Sequence, residues 1–506
     1  MSLATPLRLF NSLTRRMEQF TTLFPGSVRI YSCGPTVYNY AHIGNLRAYI
    51  FTDTLKKVMQ WKGYDVLHVM NITDVGHLTS DADEGEDKLE RAAQKSQRSV
   101  WDIAEFYTRQ FQSDLQQLNI DFPAVWTKAT DHIQEMIQFA ALCEQRGYAY
   151  LLDDGLYFDT SKVPNYGALA MMDLEGQEAG IRVAVGGKRN PPDFALWRLS
   201  PPNTTRLMEW NSPWGLGAPG WHLECSVMSI KYLGSRFDIH TGGIDHRQIH
   251  HCNEIAQNQA YLGDNSPAAS FWLHNEFVNM GQQKMSKSSG QFATLQSLID
   301  AGIHPLVYRY FCLMATYRAP LDFSLEGVIA ARTGLVRLLK RIEALKNQAG
   351  DLSWATVLSG RKYSRGGSNA FIRQQLENQL SPEGADYIRR FDAAVSDDLN
   401  TPQGLATMSE VVSSSSLAPD VILRLVASFD LVLGLGLLEL NPAILNLRPV
   451  SATIDEDGIV DLLEQRKNAR AKNDFQSADA IRVKLTDHGV AVMDSPGGAT
   501  WEWVPR

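Results

Sequence analysis

The chain has 506 residues, 44% apolar and 21% charged, with a formal net charge of -8. That length predicts about three domains, and the composition is ordinary for a soluble globular protein, which excludes a fibre or a wholly disordered chain. The acidic balance advertises no nucleic-acid partner, although local basic surface can still supply one.

No apolar run is long enough to span a bilayer, so no membrane partner is expected. The cysteines, Cys33, Cys143, Cys225, Cys252 and Cys312, are odd in number, and the first residues lack the pattern of a signal peptide. A reducing, cytoplasmic compartment is expected, where a special cysteine is a metal ligand or reactive thiol rather than a disulfide partner.

The first third alternates strand and helix. Residues 27–32 read as a short strand that runs into the loop Cys33-Gly34-Pro35-Thr36. Residues 46–63 carry apolar side chains at helical spacing and stop on Gly63, a glycine suited to a helix C-terminus. Residues 66–70 read as a second strand ahead of Asn71-Ile72-Thr73-Asp74. A strand–loop–helix–strand unit predicts a parallel sheet with a nucleotide site beyond its strand ends. The acidic run 81–87 reads as a solvated loop, and residues 100–147 read as helical. Residues 151–220 look irregular and predict an insertion into the first domain; strands return at 237–240 and 271–274.

Beyond residue 291 the pattern is mainly helical. Leu335, Leu338, Leu339, Ile342 and Leu345 mark a buried face, with Arg332, Arg337, Lys340, Arg341 and Lys346 expected on the exposed one. Residues 361–367 read as a basic loop. A linker around 441–458 precedes a small last unit: a helix over 460–485, a turn at His488-Gly489, a strand over 490–493 and an aromatic end with Trp501 and Trp503.

Two motifs point to a split phosphate site. His42-Ile43-Gly44-Asn45 stands just before a helix N-terminus, where backbone N–H groups and the helix dipole favour an anion. Gly44 permits close approach and His42 can donate to a phosphate oxygen; a surface histidine without such a role is the competing reading. Lys284-Met285-Ser286-Lys287-Ser288 sets two lysines three apart, with Gly290 after them. Such a cationic loop suits charge developing on a leaving pyrophosphate. It is not a Walker A loop.

Cys33, Cys225, and His250 with Glu254 (i and i+4 on one helical face) are residue types that zinc accepts. Spacing alone leaves buried, unligated cysteines as the other reading.

The two phosphate motifs, in this order and far apart, resemble those of the class I aminoacyl-tRNA synthetases, which bracket ATP on a Rossmann-like domain. Asn45 stands where the family motif ends in histidine; its side chain still hydrogen-bonds, so altered geometry rather than lost function is expected. Tyr31-Ser32-Cys33-Gly34-Pro35-Thr36-Val37-Tyr38, residues 220–226, residues 237–243 and residues 250–256 resemble the cysteinyl-tRNA synthetase family, and the resemblance covers nearly the whole chain. It implies one zinc ion at Cys33, Cys225, His250 and Glu254. It implies ATP, with Mg2+, at His42, Gly44, Asn45, Lys284, Ser286, Lys287 and Ser288. It places L-cysteine beside Thr73, Trp221 and Asp245, with His222, His240 and Asp74 as weaker candidates. His42, Lys284 and Lys287 are the expected catalytic residues, Lys287 as the cation at the transition state. Cys252 stands where the family usually has glutamate and is taken as non-ligating; His251 is given a supporting or packing role.

Zinc favours a thiolate over a hydroxyl, whereas size and polarity alone discriminate near-isosteres by only about 10²-fold. Four protein ligands make a closed site, so a substrate thiolate would raise the coordination to five or displace Glu254.

The expected fold class is α/β: a Rossmann-like parallel-sheet catalytic domain with an insertion, then a helical bundle and a small C-terminal α+β domain. The expected division is 1–115 and 205–275 for the halves of the catalytic domain, 116–204 for the insertion, 276–330 for the lysine loop and stem-contact region, 331–445 for a helical tRNA-binding domain and 446–506 for an anticodon-binding domain. For tRNA(Cys), the basic helix 332–346 is expected to follow the backbone. Arg466, Lys467, Arg470, Lys472, Arg482 and Lys484, with Trp501 and Trp503, suit unpaired bases; a tryptophan core is the competing reading. A monomer is expected. Two other functions fit less of the chain: a ligase joining cysteine to a small amine, and a non-catalytic zinc- or RNA-binding paralogue.

Overall fold

The computed structural model describes residues 5–76, 89, 92, 98–171, 187–201, 206–280, 283–284, 294–350, 374, 380–495 and 498–506. The acidic run 81–87 and the basic segment 361–367 lie outside the described residues.

A short hairpin, β1 (Arg8–Asn11) and β2 (Arg16–Gln19), leads into β3 (Ser27–Ser32), α1 (Ile43–Trp61) and β4 (Asp65–Ile72). The helix stops because Gly63 takes the left-handed conformation, φ 95°. Residues 100–147 are not one helix. Asn119 turns left-handed at φ 53° and Pro123 follows, so α2 (Val100–Gln117) ends and β5 (Val125–Lys128) runs parallel to β4 before α3 (Ile133–Gln145). The region expected to be irregular is a sheet: β6 (Ala149–Leu152), β7 (Gly155–Phe158), β8 (Phe194–Leu199), β9 (Trp210–Ser212) and β10 (Gly215–Pro219) join antiparallel in the order β6-β7-β8-β10-β9. The β6–β7 turn is tight, Asp153-Asp154 between paired Leu152 and Gly155, and strands of three to six residues carry too little periodicity to show in sequence.

The chain then re-enters the parallel sheet through α4 (Trp221–Leu233), β11 (Phe237–Gly243), α5 (Ile244–Gln248), α6 (His250–Leu262) and β12 (Ala269–Asn275). The strand order is β12-β11-β3-β4-β5, every pair parallel. The order reverses between β3 and β11. In an open α/β sheet that reversal opens a crevice beyond the strand carboxyl ends, which places Cys33, after β3, and Gly242-Gly243, at the end of β11, at its mouth.

Beyond the sheet, β13 (Val278–Met280), β14 (Gln283–Lys284) and, after α7 (Leu295–Asp300) and α8 (Pro305–Leu313), β15 (Leu321–Phe323) form a small sheet ordered β14-β13-β15. Helices α9 (Leu325–Ala349), α10 (Pro382–Ser396), α11 (Thr401–Val411) and α12 (Pro419–Leu433) follow. On α9, Leu335, Leu338, Leu339 and Ile342 are buried as expected. Arg332 is not on the exposed face: it is buried, donating to the carbonyls of Leu445 (3.1 Å) and Trp503 (2.9 Å) and to Asn446 Oδ1 (3.0 Å).

The last unit has two helices rather than one, α13 (Glu456–Ala471) and α14 (Phe475–Asp487), because Asn473 turns left-handed at φ 58° and Asp474 caps the second. The hairpin β16 (Val490–Ser495) and β17 (Gly498–Trp503) closes it. Trp503 is buried among Ile459, Leu462, Leu485, Val490 and Val492, so here the tryptophan-core reading is the correct one; Trp501 packs on it half-buried. Arg466 is buried and bidentate to Asp494, at 2.7 and 2.8 Å, which removes it from the basic surface. No helix among the described residues is long and apolar enough to cross a membrane.

Candidate active site

His42 is the N-cap of α1, held extended at φ -85° and ψ 162°. Its Nδ1 accepts the backbone N–H of Asn45 at 3.1 Å, and Asn45 Oδ1 accepts the backbone N–H of His42 at 3.3 Å. This reciprocal pair is a capping box. It explains how asparagine fits at this position: its carboxamide oxygen closes the first turn. It also puts the single proton of the neutral His42 ring on Nε2. Burial lowers the His42 pKa, with Asp245 working against it. Gly44 and Asn45 thus lie inside the first helical turn rather than ahead of it.

At the end of β3, Cys33 Sγ lies 3.9 Å from Cys225 Sγ, on α4, and 4.0 Å from Glu254 Oε1, on α6. His250 Nε2, one helical turn before Glu254, is 3.1 Å from the same oxygen. The four donor atoms lie within 4.8 Å of one another and all four residues are buried, a cluster that could hold a metal ion. Soft sulfur with imidazole and one carboxylate is a zinc-type donor set, so the residues fit the implied ion. Cys33, His240, His251 and Glu254 form a second, overlapping group. His251 Nε2 is 3.4 Å from Cys33 Sγ, and His240 Nε2 is 2.9 Å from Glu254 Oε2. Sequence reasoning set both histidines at the margin; the doublet His250-His251 was the only signal for the second.

The surroundings tune these groups. Burial works to lower His250, but Glu254 and Cys225 hold its pKa up at about 10. Burial likewise works to raise Glu254, and His240 and His250 hold it down at about 2. The hydrogen bond from Cys33 lowers Cys225 to about 7, while burial drives Cys33 well up. His222 Nδ1 meets His250 Nδ1 at 2.9 Å, which leaves His250 Nε2 facing the cluster. Cys252 lies apart from both donor groups, its Sγ 3.3 Å from the Arg247 carbonyl.

One cleft joins Cys33 of the donor cluster to the capped helix start. Its walls include Cys33, His42, Gly44, Asn45, Asp245 and Phe277. Gly242 also lines it, and a Cβ there would come within 2.6 Å of His251 Cε1, so only glycine lets β11 pass so close. The Trp221 ring packs 4.3 Å from the His250 ring, and Thr73 is buried away from the cleft wall, donating to Glu224 Oε2 at 3.0 Å. The backbone of Lys284 ends β14, paired with Asn279. Ser286, Lys287 and Ser288 lie outside the described residues.

The switch-point cleft lies on a parallel sheet, with a capped helix start on one wall and a small sheet leading to Lys284 beside it. The fold matches that of Mycobacterium tuberculosis methionyl-tRNA synthetase bound by methionyl-adenylate, at 15% identity and TM-score 0.51 over 89% of this chain and 96% of that one. It also matches the LeuRS of an Agrobacterium radiobacter ternary complex, at 13% identity and TM-score 0.54 over 86% and 88%. The fold is that of the class I aminoacyl-tRNA synthetases.

Residues 19–333 match the model of the tRNA synthetases class I (C) catalytic domain, and residues 456–501 that of the cysteinyl-tRNA ligase anticodon binding domain. The cysteine–tRNA ligase of Zymomonas mobilis is 52% identical over 99% of each chain, and that of Novosphingobium aromaticivorans 51% identical over 99% of this chain and 97% of the other. The chain belongs to the cysteine–tRNA ligase family.

Proposed function

We propose that the chain activates L-cysteine with ATP and passes it to the 3′ end of tRNA(Cys), reading the substrate thiol through zinc on Cys33, Cys225, His250 and Glu254. The observation that carries this reading is the single cleft that joins Cys33 to the capped helix start at His42, Gly44 and Asn45. Zinc bound there would supply a soft Lewis acid that distinguishes a thiolate from a hydroxyl.

In the first step a carboxylate oxygen of cysteine attacks the α-phosphorus of ATP and pyrophosphate leaves. In the second the terminal ribose hydroxyl of tRNA attacks the activated carbonyl and AMP leaves. No enzyme nucleophile is required; positioning and charge stabilisation suffice. His42 Nε2–H faces phosphate from the helix start, whose backbone N–H groups add their own field. Lys284, Ser286, Lys287 and Ser288 form the opposing cradle, Lys287 meeting the charge that develops on pyrophosphate, with Mg2+ accompanying ATP. Asp245, on the cleft wall, is suited to the substrate ammonium group. Trp221 acts through His250, against which it packs, and Thr73 through Glu224.

The C-terminal unit serves the anticodon, and the reading extends to a monomer in the cytoplasm. Of the expected divisions, the insertion is best drawn around the antiparallel sheet spanning 149–219, since β5 belongs to the parallel sheet. The direct test is cysteine-dependent ATP–pyrophosphate exchange followed by tRNA charging on metal-replete protein. Exchange without charging would favour a small amine acceptor instead.

A further inference from the structure

Arg47 sits one helical turn beyond the phosphate-facing start of α1 and is 2% exposed. Its guanidinium spends four hydrogen bonds on four backbone carbonyls. Nη1 donates to Glu276 (2.8 Å) and Phe277 (2.7 Å); Nη2 donates to Thr316 (3.1 Å) and Ala319 (2.6 Å). Burying a cation against neutral dipoles, with no carboxylate bonded to it, is a costly way to gain stability. It is an effective way to fix geometry, because the planar fork holds several acceptors at set angles.

The four carbonyls belong to two segments. Residues 276–277 connect β12 of the parallel sheet to β13; residues 316–319 lead into β15. The two segments also bind each other, through Glu276 N–H to Tyr317 O (2.9 Å) and Leu321 N–H to Phe277 O (3.0 Å). Both feed the small sheet ordered β14-β13-β15, whose outer strand ends at Lys284. Glu276 and Phe277 line the same cleft as His42 and Asn45. One side chain therefore ties the helix that opens the first phosphate motif to the base of the sheet that launches the second.

We propose that Arg47 is a positioning residue for adenylate formation, setting the distance between the His42 end of α1 and the β13–β14 hairpin that carries Lys284. The proposal rests on the functional reading above, that ATP lies between these two motifs. Arg47 touches no substrate. Its effect falls on the step that needs both motifs in register, the in-line departure of pyrophosphate, where a displacement of about 1 Å costs roughly 10²-fold in rate. The donor cluster at Cys33 makes none of these bonds, so cysteine binding is spared. The lysine variant, with one nitrogen, cannot span four carbonyls and restores only part of the register.

The experiment compares the full, metal-replete chain with R47K and R47Q in three measurements: cysteine-dependent ATP–pyrophosphate exchange, the KM for cysteine, and single-turnover transfer from preformed enzyme-bound cysteinyl-adenylate to tRNA. The expected result is an exchange kcat lowered roughly 10²-fold in R47Q and less in R47K, with the KM for cysteine and the transfer rate near those of the unsubstituted protein. An unchanged kcat in both variants overturns the proposal. Equal loss of exchange and transfer also overturns it, because Arg47 then only supports the fold. Absence of exchange in the unsubstituted protein removes the functional reading itself, an outcome distinct from either.

Discussion

The backbone of His42 forms an isolated antiparallel bridge with that of Thr294. Each residue is a helix cap: His42 closes the first turn of α1, and the Thr294 hydroxyl accepts the Ser297 N–H at 3.1 Å at the start of α7. The lysine segment leaves from Lys284 on β14 and returns at Thr294. Its return point is thus pinned to the residue that opens the other phosphate motif, although the two lie far apart in sequence.

On the proposed function, the lysine segment and the helix start face the same ATP. Lys287→Ala is expected to lower the kcat of cysteine-dependent exchange by roughly 10²- to 10³-fold, the usual consequence of deleting a group aimed at developing charge. The KM for cysteine should change little, since the donor cluster lies on other elements. Steady-state exchange kinetics decide the matter; an unaltered kcat would remove Lys287 from the mechanism.

The two donor groups share Cys33 and Glu254 but differ in their other members. If zinc takes Cys225 and His250, Cys225→Ala and His250→Ala should strip the ion during dialysis, whereas His240→Ala and His251→Ala should retain it. Elemental analysis of the purified variants reads this without any activity assay. Retention in the first pair and loss in the second would assign the ion to the other group.

Away from the cleft, Asp53 on α1 receives Lys57 Nζ at 2.5 Å and Arg309 Nη2 at 2.6 Å, all three buried. Burial works to raise the carboxyl, and Lys57 and Arg309 hold it down at about 2 against an ordinary 3.8. A depressed carboxyl contributes stability above its unfolded pKa and loses it as pH falls towards the folded one. The contribution is therefore full above pH 3.8 and fades as pH falls towards about 2. Asp53→Asn should cost about 3–5 kcal/mol at neutral pH by leaving buried Arg309 without its counter-charge, while Lys57 keeps Asp121 at 2.9 Å. Thermal melts at pH 7 and pH 3 should show the variant losing less on acidification than the unsubstituted chain.

Arg332 holds the C-terminal unit through the carbonyl of Trp503 and the side chain of Asn446, which also accepts the Trp503 N–H at 2.7 Å. Arg332→Ala should loosen that unit, raise the KM for tRNA and leave pyrophosphate exchange intact. Truncation after residue 458 should act in the same direction and more strongly. Parallel charging and exchange assays test both; equal loss of the two activities would speak against an anticodon role for the unit.

Much of the site was legible because its chemistry is carried by local words. The strand before Cys33, the helix after His42 and the i,i+4 pair His250 and Glu254 all stand where the sequence places them. What escaped depended on long-range packing. Arg332 sits on a basic helical stripe and reads as solvent-facing; only the docking of residues 445–446 and 503 buries it. Trp503 has the same history, since a tryptophan near a chain end looks alike as a base platform or as a core residue. The antiparallel sheet of 149–219 was hidden by strands too short to show alternation, and β5 by its place between two helices. Nothing local marks Arg47, because its partners are backbone carbonyls.

The most direct test of zinc-based cysteine activation is ATP–pyrophosphate exchange on metal-replete protein, run with cysteine and serine side by side. Robust exchange is predicted with cysteine, and exchange with serine lower by more than the roughly 10²-fold that size and polarity alone provide. Equal exchange with both amino acids, or none with cysteine, would contradict it.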